Sequence, residues 1–107
     1  MKTLKAILLL VFFLTVFTKC RKDSYKACCT ISKSTANIGD TIVFHNCSKR
    51  NSGYTEAQLN LGDGTYISIQ SNADIKHSYS ALGQYTVLIE VGRIENGDDK
   101  EYKITIQ

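Results

Sequence analysis

Beyond residue 28 the apolar positions recur with a period of two. Ile42 and Phe44 alternate with Thr41, Val43 and His45, and Ala57, Leu59 and Leu61 alternate with Glu56, Gln58 and Asn60. The same beat runs through Ile67 and Ile69, through Tyr85, Val87, Ile89 and Val91, and through Tyr102, Ile104 and Ile106. Successive side chains of a strand point to opposite faces, so this period predicts strands with one buried and one wet side. Turn-rich pieces separate the runs: ANIGD, KRNSG, GDG, SNAD and ENGDD. The pattern predicts an all-β body, a single antiparallel sandwich or barrel of about seven strands with no helix of consequence. Leu88 interrupts the polar side of its run, which predicts a central strand with both faces partly covered. EYKITIQ keeps Lys103 and Thr105 outward, as suits a strand near a sheet edge.

The front of the chain has a different pattern. Lys2 and Lys5 precede an apolar stretch from Ala6 to Phe17. That stretch is about 12 residues long, shorter than the roughly 20 of a membrane-spanning helix, and has the length of a secretory h-region. No A-x-A-like triplet follows it, but Cys20 does. Residues 1–19 resemble a bacterial lipoprotein signal, in which the cysteine becomes the acylated N-terminus. Thr18 fits that pattern, Phe17 fits it loosely, and Lys19 departs from it, because small residues are usual there. An uncleaved signal anchor and cleavage elsewhere are the alternatives. CRKDS looks like the charged starts of lipoproteins from the Bacteroidota. The expected layout is a signal at 1–19, a charged tether at 20–27 and one domain at 28–107. The chain is expected to be exported and lipid-anchored to the bacterial outer membrane, on its periplasmic or outer side, with free secretion as the alternative.

Charge narrows the partners. Three of the 13 basic residues, Lys2, Lys5 and Lys19, fall in the signal, leaving 10 against 10 acidic residues. A neutral remainder argues against nucleic acid, which draws on Lys and Arg to neutralise phosphate. Arg21, Lys22 and Lys26 cluster in the tether, where they are a solvated linker or an attraction to acidic headgroups. The body, about 80 residues, is near the size where a hydrophobic core alone is marginal.

The motifs have an order. Gly62, Asp63 and Gly64 are followed by His77 and Tyr79, then by Gly83, Tyr85 and Val87. This order resembles the signature of PKD domains, W-D-F-G-D-G, H-x-Y and P-G-x-Y-x-V. Leu59, Asn60 and Leu61 replace the aromatic and acidic members of the first block, and Leu82 stands where proline is usual. NIGDTIVFHNCS, residues 37–48, looks like the family's first hairpin. The resemblance covers nearly all of 28–107. It implies an immunoglobulin-like β-sandwich with an extracellular, non-catalytic role in contacts or spacing.

Gly62-Asp63-Gly64 is then a strand–turn–strand corner. Glycine reaches φ > 0 without a Cβ penalty, and Asp63 can bond nearby amides. A dinucleotide loop needs a third glycine that opens a helix, but that position is Ile67 in a strand-like run. The regular Asp/Asn spacing of a calcium loop is absent as well. No metal or other cofactor is expected.

Cys28, Cys29 and Cys47 remain in the exported body, where disulfides are expected and adjacent cysteines disfavour zinc. If Ile31 and Phe44 pair across a hairpin turning at Asn37–Ile38, the same register places Cys28 opposite Cys47 and turns Cys29 to the core. A one-residue bulge would instead pair Cys29 with Cys47. Either bridge contributes roughly 3 kcal/mol.

His45 falls on the polar phase of its strand, while the resemblance to the H-x-Y block implies that His77 supports a turn by hydrogen bonding. No G-x-S-x-G or H-E-x-x-H occurs. Asp98, Asp99 and Glu101 read as a solvated hairpin tip after Asn96–Gly97. No catalytic residue is expected. Tyr54 and Tyr66 lie beside turns and are candidate contact residues for an unknown protein or glycan partner.

Overall fold

The structure, a computed structural model, describes residues 24–92 and 96–107. The signal segment, Cys20 and the start of the tether lie outside the described residues. The described residues form eleven strands: β1 (Tyr25–Lys26), β2 (Cys29–Ile31), β3 (Thr35–Ala36), β4 (Ile42–Asn46), β5 (Lys49–Arg50), β6 (Gly53–Tyr54), β7 (Ala57–Asn60), β8 (Tyr66–Ile69), β9 (Asp74–His77), β10 (Gly83–Val91) and β11 (Asp98–Ile106). The described residues contain no helix.

Two sheets make the sandwich. One has the order β3-β11-β10-β7-β8 and the other β2-β4-β9. Strand alternation aims Ile42 and Phe44 from one sheet, and Leu59, Val87, Ile89 and Ile104 from the other, into a single core where each is fully buried. Burying one such side chain contributes about 1.5–3 kcal/mol, which is why the period-two pattern specifies the layers. β10 lies between β11 and β7, as Leu88 predicts.

The structure corrects several expectations. The pairing of β3 with β11 is parallel, joining Thr35 to Thr105 and Ala36 to Ile106. Residues 29–46 are therefore not one plain hairpin. After Ile31 the chain changes sheet, covers the edge of β11 and then returns as β4. The expected register nevertheless holds, with Ile31 opposite Phe44. KRNSG is itself a hairpin, with Lys49 paired to Tyr54 and Asn51 at φ 57° in its turn. Together β1, β5 and β6 form a third small sheet. Tyr25 pairs with Arg50 and Ala27 is buried, so residues 24–27 belong to the folded body and not to a tether. Asp98, Asp99 and Glu101 lie within β11, opposite Val91, Glu90 and Leu88. Asp98 Oδ2 accepts the Ala27 N–H at 2.8 Å, and this contact draws the acid out of the hairpin tip. β9 begins at the last residue of SNAD, and its one apolar residue, Ile75, between Asp74 and Lys76 left little alternation to read.

Candidate functional site

The glycine–aspartate–glycine corner is built around its aspartate. Asp63 Oδ1 accepts the Thr65 N–H at 3.1 Å, and Oδ2 accepts from His77 Nε2 at 2.7 Å. Gly62 and Gly64 sit at φ +85° and +94°. Burial raises the Asp63 pKa, but hydrogen bonds from His77 and Thr65 outweigh that effect and hold it below the ordinary 3.8. Tyr79 stands edge-on to His77, with ring centroids 4.8 Å apart, and its hydroxyl donates to the Leu61 carbonyl at 2.7 Å. Tyr85 leans on Tyr79 at 4.3 Å and donates to the Ala81 carbonyl. Gly62, Asp63, Gly64, His77, Tyr79 and Tyr85 thus converge on one structural corner. Gly83, at φ +141°, opens β10, and Val87 lies in the core.

A second His–Asp pair lies across the pairing of β4 with β9. His45 Nδ1 donates to Asp74 Oδ1, and its Nε2 faces the Asn72 amide oxygen at 3.1 Å. Nucleophilic catalysis needs a hydroxyl or thiol on the histidine's other nitrogen. Neither histidine has one among the described residues. Nor do those residues contain a cluster of three His, Cys, Asp or Glu able to hold a metal ion.

The disulfide joins Cys28 to Cys47, with Cα atoms 4.9 Å apart, and Cys29 is a buried free thiol. Burial pushes that thiol up to about 11, against a smaller opposing effect of the His45 backbone. Sequence reasoning missed the polar knot beside the bridge. Asn46 and Ser48 are fully buried. The Asn46 amide donates to the Thr55 and Gln70 carbonyls, and Ser48 Oγ accepts the Cys28 N–H while donating to the Cys28 carbonyl. Their only signal was an Asn and a Ser that continue the core phase of Ile42 and Phe44 on either side of Cys47.

Two shallow grooves lie against the five-stranded sheet. One, of about 400 Å³, is bounded by Tyr25, Arg50, Gln58, Tyr66 and Glu90. The other, of about 560 Å³, is bounded by Asn60, Gln84, Thr86, Leu88 and Glu101. Tyr66 is 57% exposed and Tyr54 54%. They differ in their surroundings, because Lys49 Nζ covers the Tyr54 ring at 5.5 Å.

Solved structures with this geometry are known. The chain is similar to the PKD domain from the human VPS10 domain-containing receptor SorCS2, with a TM-score of 0.60, 17% identity, and 78% of this chain against 72% of that one. It is similar to the PKD domain of a peptidase from a Thermoplasmatales archaeon, with a TM-score of 0.56, 16% identity, and 78% against 91%. The fold is that of a PKD-like, immunoglobulin-type β-sandwich. The PKD-like domain is also similar to a chain described with the promiscuous carbohydrate-binding modules of the β-sandwich superfamily, with a TM-score of 0.67 and 21% identity. There it covers 78% of this chain and spans about a third of the other's length, 34%. No family model matches the chain, and no curated protein matches it.

Proposed function

We propose that the chain is an exported, lipid-anchored envelope protein whose PKD-like domain acts without catalysis, by contacting a glycan or protein partner. The observation that carries this reading is the placement of the motif residues. His77 and Asp63 are used up in bracing a turn, and the exposed chemistry lies on the sheet face and at Tyr54 and Tyr66. The likeness to carbohydrate-binding and PKD modules supports the same reading. The Cys28–Cys47 bridge suits an oxidising compartment. Cys20, following the h-region, is the acylation site in this reading. Several acyl chains would hold the protein firmly, since each buried CH₂ contributes about 0.8 kcal/mol.

A freely secreted domain is the second reading, favoured by Lys19 at the position before Cys20. Phase partitioning in detergent separates the two. The full chain is expected in the detergent phase and Cys20→Ala in the aqueous phase. Wild type and variant both in the aqueous phase would leave the secreted reading standing.

A further inference from the structure

The cross-strand register lays out the outer face of the five-stranded sheet as a grid. Glu101 pairs with Leu88, Leu88 with Asn60, and Asn60 with Tyr66. The next outward row is Asp99, Glu90, Gln58 and Ser68. Each row crosses four strands, about 14 Å at the usual strand spacing. Each carries carboxylate, amide or hydroxyl groups, and one row ends on an aromatic ring. The first groove lies over the Gln58–Glu90 pairing and reaches Tyr66, while the second lies over Leu88 and Asn60.

Tyr66 differs from every other tyrosine of the chain. Arg50 and Lys49 lie over the rings of Tyr25 and Tyr54. Tyr79 and Tyr85 donate to carbonyls, and the Tyr102 hydroxyl accepts the Cys29 N–H. Tyr66 has no ring contact and no hydrogen bond among the described residues, and it is the most exposed of the large aromatic side chains. The Glu56 and Glu90 carboxylates beside it are likewise unpaired among those residues. A free aromatic face next to unengaged acceptors is suited to a ligand with an apolar ring face and hydroxyl donors at its edge.

We propose that this face, centred on Tyr66, Gln58 and Glu90, binds a neutral oligosaccharide. The inference deepens the non-catalytic contact reading above and rests on it. Charge selects within the sugars. Among the described residues, Asp99, Glu101, Glu90 and Glu56 outnumber Arg50 and Lys103 on and around the grid, so sulfated or uronic chains and nucleic acids are repelled. Shape argues against a protein partner. A stable protein interface buries about 800 Å² per side around aromatic and apolar anchors. This face offers Tyr66 and a half-buried Leu88.

The test titrates the full-length protein, purified in detergent, with cellohexaose, xylohexaose and mannohexaose, and with heparin as the polyanion. At least one neutral hexasaccharide is expected to bind, and heparin is not. Tyr66→Ala should weaken binding by about tenfold, or 1.4 kcal/mol, with an unchanged melting curve. Glu90→Gln should weaken it several-fold. No binding of any neutral hexasaccharide would overturn the proposal, as would binding of heparin alone or Tyr66-dependent capture of a protein without sugar. Sugar binding lost in Tyr54→Ala but kept in Tyr66→Ala would overturn this site while sparing the contact reading. The Cys20→Ala partition reports on the anchor independently of all these outcomes.

Discussion

Asp63 is the residue on which the corner turns, because each of its oxygens has a separate task. One closes the local turn onto Thr65 and the other holds His77 from a strand of the opposite sheet. Both tasks need the carboxylate, and that is the physical meaning of its lowered pKa. The sign of the linkage follows. A carboxylate depressed in the folded state binds fewer protons there than in the unfolded chain, so stability rises with pH across the window between the two values. The contribution is complete above the unfolded value, near 4, and is lost as pH falls through the lower folded value. Urea melts of wild type and Asp63→Asn should therefore differ most near neutral pH and converge on acidification. A gap that stays constant down to pH 2 would show that His77 and Thr65 gain nothing from the charge.

The corner as an element tests the geometry of its two glycines. Both have positive φ, but their surroundings differ. A Cβ at Gly62 would meet the Thr86 carbonyl oxygen at 2.6 Å, while one at Gly64 would meet nothing within 4 Å. Gly64→Ala should therefore lose only the left-handed backbone penalty, about 1–2 kcal/mol. Gly62→Ala should lose more, because β10 must shift away from β7 to admit it. Equal losses in paired denaturation curves would mean that the close approach of the corner to Thr86 is relaxed in solution. The elements legible in the sequence were those with sustained alternation: β4, β7, β8, β10 and β11. The missed ones had physical reasons to be missed. β1, β5 and β6 are two residues long and stabilised by pairing with each other, which a single segment cannot reveal. β3 owes its strand character to the edge of β11, far away in sequence. The corner residues were legible because Gly, Asp, His and Tyr each announce a specific bond. The sheet-face grid was not, because Gln58, Glu90 and Tyr66 become neighbours only through the register of three strands.

At the scale of the whole molecule, a small two-layer core is closed by one covalent link, and the adjacent cysteines show how the layers assign roles. Neighbouring strand residues face opposite ways, so the chain cannot present Cys28 and Cys29 to the same partner. Cys28 reaches Cys47 at a separation of 19 residues, and Cys29 turns inward at 4% exposure. The bridge should contribute about 3 kcal/mol, a large share of the roughly 5–15 kcal/mol typical of a domain. Cys29 should be no reservoir for reshuffling. With its thiol near 11, the thiolate that attacks disulfides is a minute fraction at pH 7.5, and burial blocks the approach as well. Peptide-resolved alkylation of the full chain is therefore expected to leave Cys29 unlabelled in the native state and to label it once urea unfolds the domain. In Cys47→Ser, Cys28 should label quickly and Cys29 should stay protected, while the unfolding free energy falls by about 3 kcal/mol. Rapid native labelling of Cys29 would contradict this assignment of faces. So would a Cys29–Cys47 bridge in the mapped peptides, because it requires β2 to slip by one residue and turn Thr30 into the core in place of Cys29 and Ile31.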